Sequence, residues 1–148
     1  MEEFMKLNLS KKLIAATAGL MLIAAAPVAV FAEDTIKLGV VGPHSGDLAS
    51  YGLPSVNAAK ILAEQINASG GINGKKIELL VEDTVCDAKT ATDVATKLVS
   101  DGAQIVLGGI CSGSTKAALP IYKDAGILVM SPSATNPALT QSGDYNNF

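Results

Sequence analysis

The chain has 148 residues, a formal net charge of −3 and no arginine, and 49% of its residues are hydrophobic. Because nucleic-acid binding depends on basic patches, this mildly acidic composition argues against a nucleic-acid partner. Without arginine, a bound carboxylate has to be held by neutral donors and helix dipoles rather than by a guanidinium group.

Residues 1–32 are predicted to be an export signal. Lysines precede an apolar stretch from Leu13 to Phe31, and Val30–Ala32 has the small-x-small pattern of a cleavage site. The alternative is an uncleaved membrane anchor, because the stretch is nearly long enough to span a bilayer. Pro27 and the alanine-rich second half favour a removed signal. We therefore expect an exported domain over residues 33–148.

The exported part alternates strand-like and helix-like segments. Short β-branched, apolar runs predict strands, and apolar residues at helical spacing predict helices. In chain order these are strand Thr35–Val41, helix Tyr51–Ala68, strand Lys76–Val81, helix Ala88–Val99, strand Gln104–Leu107, helix Ser114–Asp124 and strand Ile127–Met130. This order predicts an α/β fold with a mostly parallel sheet, right-handed crossovers and helices on both faces.

Two finer expectations concern the first helix and the end of the chain. Spacing predicts that the first helix buries a stripe of five residues, namely Val56, Ala59, Leu62, Ala63 and Ile66. Residues 136–148 are predicted to form a loop, with Asn147-Phe148 as the possible first residues of a fifth strand. A four-stranded sheet with a bare edge is poorly protected, which indicates an incomplete domain.

Hydroxyl residues follow the last two predicted strands as the clusters Cys111–Thr115 and Ser131–Thr135. If those strands are parallel neighbours, both clusters lie at one carboxyl edge, where open α/β sheets bind ligands. Backbone N–H groups and hydroxyls there suit an anionic or zwitterionic small molecule. The simpler alternatives are ordinary helix capping in the first cluster and a turn around Pro132 in the second. Tyr51 follows another strand end and is a candidate wall of the same cleft.

Other chemical signatures are weak. The sequence contains neither a phosphate-binding glycine loop nor the serine-hydrolase elbow. The single histidine, His44, is expected to be a solvated loop residue. Glu82, Asp83 and Asp87 are interpreted as charged loop ends rather than a cation site. No cofactor or metal is therefore expected.

Cys86 and Cys111 are the only cysteines. In an oxidising compartment pairing is the default, and a bridge here stabilises the fold by roughly 3–4 kcal/mol. Two unpaired thiols are the alternative. A rival function is an exported hydrolase with Cys111 or Ser112 as nucleophile, but a neighbouring base is missing from the sequence pattern, so we expect no enzyme.

Taken together, six segments resemble the periplasmic leucine/isoleucine/valine-binding proteins, the type I solute-binding proteins of ATP-driven (ABC) importers. The segments are Gly39–Gly46, Tyr51-Gly52, Ile66–Gly74, Cys86–Lys89, Cys111–Thr115 and Ile127–Pro137. The resemblance covers essentially all of residues 33–148. It implies a Rossmann-like N-terminal lobe of a two-lobed protein that closes on an amino acid, with the second lobe absent here. On this view the chain is a truncated piece or a gene fragment.

The resemblance also implies individual roles at the predicted edge. Ser112 binds the ligand carboxylate, Ser133 gives a backbone carbonyl to the ammonium group, and Thr135 gives its N–H and hydroxyl. Tyr51 lines the side-chain pocket, and Cys86 pairs with Cys111. This sequence has Gly113 where the family usually has a third serine, and serine rather than alanine at 133, which would act through its main chain.

The function implied is that of an exported, periplasmic binding component for a branched-chain or related aliphatic amino acid. Its partners are expected to be the membrane subunits of the importer, and the protein is expected to be a monomer. A further alternative is the ligand-sensing domain of a membrane receptor, which needs a spanning helix downstream.

Overall fold

The computed structural model describes residues 35–148, so the predicted export signal lies outside the described residues. Eight elements follow in order: β1 Ile36–Gly42, α1 Ala49–Ala68, β2 Ile77–Asp83, α2 Ala88–Ser100, β3 Ile105–Gly108, α3 Ser112–Asp124, β4 Leu128–Met130 and α4 Ala138–Gln141. Among these helices none combines the length and the apolar character needed to cross a bilayer.

The four strands form one sheet in the order β2-β1-β3-β4, and every pair is parallel. In register, Gly42 lies beside Asp83 and Val41 beside Gly108, and Leu107 lies beside Met130. The carboxyl ends of all four strands therefore meet at one edge, which we call the carboxyl edge. This confirms the predicted α/β class and the parallel sheet.

Helices pack on both faces of the sheet, as predicted. On one face Val40 packs with Val56 and Ala59 of α1. On the other face the larger core joins the sheet to α2 and α3, with Leu98 and Leu119 fully buried. Alternate side chains of a strand point to opposite faces, which is why neighbours in β1 belong to different cores.

Two expectations are wrong. Leu62 is 56% exposed, although Ala59 and Ala63 are buried. Successive residues are roughly 100° apart around a helix, and the narrow stripe of small residues that touches the sheet leaves Leu62 to one side. The tail is not all loop, because Ala138–Gln141 is a short helix. The Asn136 side chain starts it by accepting a hydrogen bond from Ala138 N at 2.9 Å.

The end of the chain runs beside β4. The Val129 N–H donates to the main-chain carbonyl of Asn147 at 2.8 Å. The Asn147 side-chain Nδ2 donates to the Ile127 carbonyl at 3.1 Å. These bonds hold the end of the chain beside β4, but residues 146–148 are not a strand in the structure, so a fifth strand that starts at Asn147 stays a prediction. On the α1 side of the sheet, β3 and β4 leave Ile105, Leu128 and Met130 exposed.

Candidate functional site

The carboxyl edge has a topological switch point between β1 and β3. From β1 the chain turns towards α1 on one face, and from β3 it turns towards α3 on the other. Loops that leave a parallel sheet in opposite directions open a crevice at its carboxyl ends, where α/β proteins commonly bind ligands. The predicted site residues lie on the loops around this crevice.

The N-terminus of α3 is open at this edge. Cys111 is its N-cap residue, and no side chain in the described part of the chain caps the helix. The first helical hydrogen bond runs from Thr115 N to the Cys111 carbonyl at 3.0 Å. The amides of Ser112, Gly113 and Ser114 precede it. Such amides and the positive end of the helix dipole attract an anion.

The hydroxyl groups of this cluster have different roles. Ser114 Oγ and Thr115 Oγ1 both donate to the Cys111 carbonyl, at 3.0 and 2.9 Å, and both residues are buried. Both hydroxyls therefore have a structural role. The simpler interpretation as ordinary helix capping is nevertheless wrong for these two positions, because the hydroxyls donate to a carbonyl and do not accept from a first-turn N–H. Ser112, the first residue of the helix, is only partly buried, and its hydroxyl faces the next loop.

Two glycines place α3 where it is. Gly108 and Gly109 have φ values of 136° and 47°, a region that side chains rarely adopt. A Cβ atom at Gly109 would lie 1.8 Å from Thr115 Oγ1, and one at Gly108 would lie 2.0 Å from the Val41 carbonyl oxygen. Sequence reasoning missed this role, for which the Gly-Gly pair directly after a strand was the available signal.

Ser131 connects the two hydroxyl clusters. Its Oγ donates to the Gly109 carbonyl at 2.6 Å and accepts from the amides of Ser133 and Ala134, at 3.1 and 2.8 Å. Ser131 therefore shapes the second loop and ties it to the turn before α3. The sequence placed Ser131 in the cluster without separating this structural role from a ligand contact.

The loop of the second hydroxyl cluster, Ser131–Thr135, reaches the start of α3. Asn136 N donates to Ser112 Oγ at 3.2 Å, so Thr135, the residue before it in the chain, lies close to Ser112. Ser133 and Thr135 are both exposed. The structure thus brings three of the predicted ligand residues to one place, the open end of α3.

Tyr51 lies across the crevice from α3, in the first turn of α1, and is 67% exposed. An open depression of about 220 Å³ lies between these parts and is lined by Leu48, Tyr51, Ile110, Cys111 and Ser133. The neighbouring Gly52 lets α1 approach the β1 loop, because a Cβ atom there would lie 2.1 Å from the Pro43 carbonyl oxygen. Tyr51 and Ser133 therefore border the same depression, and Tyr51 is accessible to a ligand.

Cys86 and Cys111 form a disulfide bond in the structure, which excludes the alternative of two free thiols. The bond joins the loop before α2 to the N-cap of α3. Val85 and Cys86 both have positive φ, 43° and 59°, so the bridge holds an uncommon backbone conformation. A disulfide sulfur is not a free nucleophile, which removes Cys111 from the hydrolase alternative. Ser112 Oγ contacts an amide N–H rather than a general base.

Asp83 organises the loops on the other side of the edge. It accepts hydrogen bonds from His44 N at 2.8 Å, Ser45 Oγ at 2.5 Å and Val85 N at 2.9 Å. Burial alone would raise the pKa of Asp83, but these hydrogen bonds together lower it. Burial lowers the pKa of His44, which is partly buried rather than fully solvated. Residues 35–148 contain no group of three or more His, Cys, Asp or Glu side chains able to hold a metal ion.

Comparison with known proteins identifies the family. A family model described as periplasmic binding protein matches residues 35–148. The chain belongs to this family. It is 46% identical over 112 residues to the leucine-, isoleucine-, valine-, threonine- and alanine-binding protein of Pseudomonas aeruginosa, a match that covers 76% of this chain and 30% of that protein.

Solved structures agree with this assignment. The substrate-binding protein LivJ of a Streptococcus pneumoniae branched-chain amino acid transporter, in complex with isoleucine, matches with a TM-score of 0.70 and 40% identity over 75% of this chain and 32% of that one. A benzoate-bound solute-binding protein from R. palustris matches with a TM-score of 0.67 and 25% identity over 76% of this chain and 31% of its own. The chain spans about a third of the length of these relatives.

Proposed function

We propose that this chain is the first lobe of an exported solute-binding protein for a branched-chain or related aliphatic amino acid. The observation that carries the proposal is the open N-terminus of α3, with Ser112 on its first turn and the Thr135 loop beside it. A relative at 46% identity is named for leucine, isoleucine and valine among its ligands, and a structural neighbour holds isoleucine.

The ligand carboxylate is held without a cationic side chain. The amides of Ser112, Gly113 and Ser114 and the hydroxyl of Ser112 supply neutral donors, and the helix dipole adds a favourable field. Thr135 contributes its own N–H and hydroxyl from the adjacent loop. Because none of these donors titrates near neutral pH, carboxylate binding is independent of pH over that range.

The other two parts of the ligand lie towards the depression. The Ser133 carbonyl accepts a hydrogen bond from the ligand ammonium group, and the ring of Tyr51 covers part of the aliphatic side chain. Both residues border the depression of about 220 Å³. The remaining contacts come from a second lobe, and its closure excludes water and strengthens the polar contacts.

The partners follow from the same role. A binding protein of this kind delivers its ligand, as a monomer, to the membrane subunits of an ABC importer. Residues 1–32 direct the chain to the periplasm and are then removed. The disulfide bond between Cys86 and Cys111 agrees with an oxidising compartment.

A calorimetric titration with leucine, isoleucine and valine tests the proposal. We expect binding of at least one of them to the wild-type protein, and at least tenfold weaker binding by Ser112→Ala. Ser100→Ala removes an exposed hydroxyl at the far end of α2 and is the matched control, with unchanged affinity.

Two ligand controls separate the parts of the proposal. L-leucinamide keeps the side chain and the ammonium group but lacks the carboxylate, so it should not bind. Benzoate has a carboxylate but no ammonium group. Binding of benzoate with no response to any of the three amino acids contradicts the aliphatic ligand class, whereas equal binding of leucinamide contradicts the role of α3.

A further inference from the structure

We propose that a small internal cavity under the first turns of α3 binds one water molecule that links β2 to α3. The cavity has a volume of about 10 Å³, close to the minimum of about 10–15 Å³ that one water needs. Ten residues from four elements and two loops line it: Val41, Thr84, Ala91, Gly109, Ser114, Thr115, Ala118, Leu119, Tyr122 and Val129.

Thr84 gives the cavity its polar character. The residue follows β2 directly and is only 3% exposed. Its backbone is fully used, because Thr84 N donates to the Gly42 carbonyl and the Thr84 carbonyl accepts from Asp87 N, both at 2.8 Å. Its hydroxyl has no hydrogen-bond partner among the described residues. A buried hydroxyl without a partner destabilises a protein, so such groups commonly bind an internal water.

The opposite wall supplies acceptors for that water. Ser114 Oγ and Thr115 Oγ1 both use their protons on the Cys111 carbonyl, which leaves their oxygen lone pairs available. A water can accept the Thr84 hydroxyl proton and donate its own protons to these oxygens. This gives it the two to four polar partners that internal waters usually have.

The remaining wall argues for a neutral occupant. The lining residues carry no carboxylate, ammonium or imidazole group, so an ion would lack a counter-charge there. The volume also excludes anything larger than one water. The same wall contains Gly109, whose missing side chain leaves room for Thr115 Oγ1.

The water has a structural consequence for the carboxyl edge. It connects the end of β2 to the first turns of α3, the turns that follow Ser112. The open helix end is then fixed from below by the water as well as from the side by the disulfide. This inference does not depend on the identity of the ligand.

A crystal structure of the wild-type protein at about 1.5 Å resolution or better tests it directly. We expect electron density for a water within hydrogen-bond distance of Thr84 Oγ1 and of Ser114 Oγ or Thr115 Oγ1. Thr84→Ser keeps the hydroxyl and should keep this density. An empty cavity in the wild-type protein overturns the proposal.

Thr84→Val gives a second, thermodynamic test, because valine keeps the shape and removes the hydroxyl. If the water is present, the variant loses its hydrogen bonds and the melting temperature falls by about 3–6 °C. If the cavity is dry, removal of an unsatisfied hydroxyl raises the melting temperature. An unchanged or raised melting temperature therefore contradicts the proposal. Thr96→Val, at an exposed position of α2, controls for the Thr-to-Val change itself.

Discussion

The helices α2 and α3 have the same length, 13 residues, and both begin at the carboxyl edge. Their first turns differ in whether a side chain caps them. The Asp87 carboxylate caps α2, with Thr90 N and Thr90 Oγ1 at 2.7 and 2.8 Å. No side chain in the described part of the chain caps α3. A capped end satisfies its own amides, whereas an open end keeps them for a ligand.

The disulfide makes this comparison a close one. Cys86 precedes the Asp87 cap directly, and Cys111 is itself the N-cap residue of α3. The two ends are therefore held next to each other, with an anion already present on one and none on the other. The capped end of α2 therefore contributes to stability, and in the proposed function the open end of α3 contributes to ligand binding.

Removal of the disulfide has the largest expected effect, because it holds the two ends together. The cysteines are 25 residues apart, and for such a loop the double variant Cys86→Ala/Cys111→Ala should lose about 3–4 kcal/mol of unfolding free energy. Urea unfolding of the oxidised wild type and the variant measures this. A loss of less than about 1 kcal/mol would show that packing alone positions both helices.

A pair of glycine substitutions tests which backbone positions fix the start of α3. Gly109→Ala should lower the free energy of unfolding by about 2–3 kcal/mol, because the residue has positive φ and the new methyl group would collide with Thr115 Oγ1. Gly113→Ala, four residues later, meets open space and should be neutral or stabilising by up to about 1 kcal/mol. Equal effects in thermal unfolding would contradict the steric role of Gly109.

Asp87→Ala and Ser112→Ala each remove one polar side chain, the first at the capped end of α2 and the second at the open end of α3. We expect Asp87→Ala to lower the melting temperature by about 2–5 °C through loss of the cap, with ligand binding unchanged. Ser112 accepts a single hydrogen bond, 3.2 Å long, from Asn136 N. Ser112→Ala should therefore lower the melting temperature by less than about 2 °C. A larger fall in melting temperature for Ser112→Ala than for Asp87→Ala would contradict the assignment of the stabilising role to the Asp87 cap.

The smallest expected effect is a difference in acid sensitivity. The hydrogen bond from Thr90 N, followed by that from its hydroxyl, lowers the pKa of Asp87 below its ordinary 3.8. A group with a lowered pKa stabilises the fold above its ordinary value and loses this contribution as the pH falls through the lowered one. The Thr90 amide should therefore shift in NMR spectra below pH 3.8. The Thr115 amide, bonded to the Cys111 carbonyl, should show no such titration, and parallel titration of both amides would refute the assignment.

Much of this edge was predictable from residue patterns. Apolar runs that end in glycine or hydroxyl residues predicted β3, β4 and the meeting of the two clusters, because parallel strands place their carboxyl ends together. Periodicity predicted the three long helices in their correct order. It failed for Leu62, since periodicity cannot say how wide a stripe the sheet will cover.

The separate roles of the individual hydroxyl groups were not predictable. Ser112, Ser114 and Thr115 are alike in sequence, yet only the first keeps its hydroxyl outside the helix. Which hydroxyl turns inward depends on where the helix begins, two residues earlier than expected, and on the turn at Gly108 and Gly109. The partnerless Thr84 hydroxyl depends on packing between distant elements, for which local sequence carries no signal.

In the proposed function α3 binds a carboxylate through its open end, whereas α2, which is capped by Asp87, does not. An NMR titration of the protein with L-leucine tests it most directly, with the amides of residues 112–114 and 88–90 followed together. We predict saturable shifts of the amides of residues 112–114 and no shifts at residues 88–90. L-leucinamide should shift the amides of neither helix end. Equal shifts at both helix ends, or none at residues 112–114, would contradict the account.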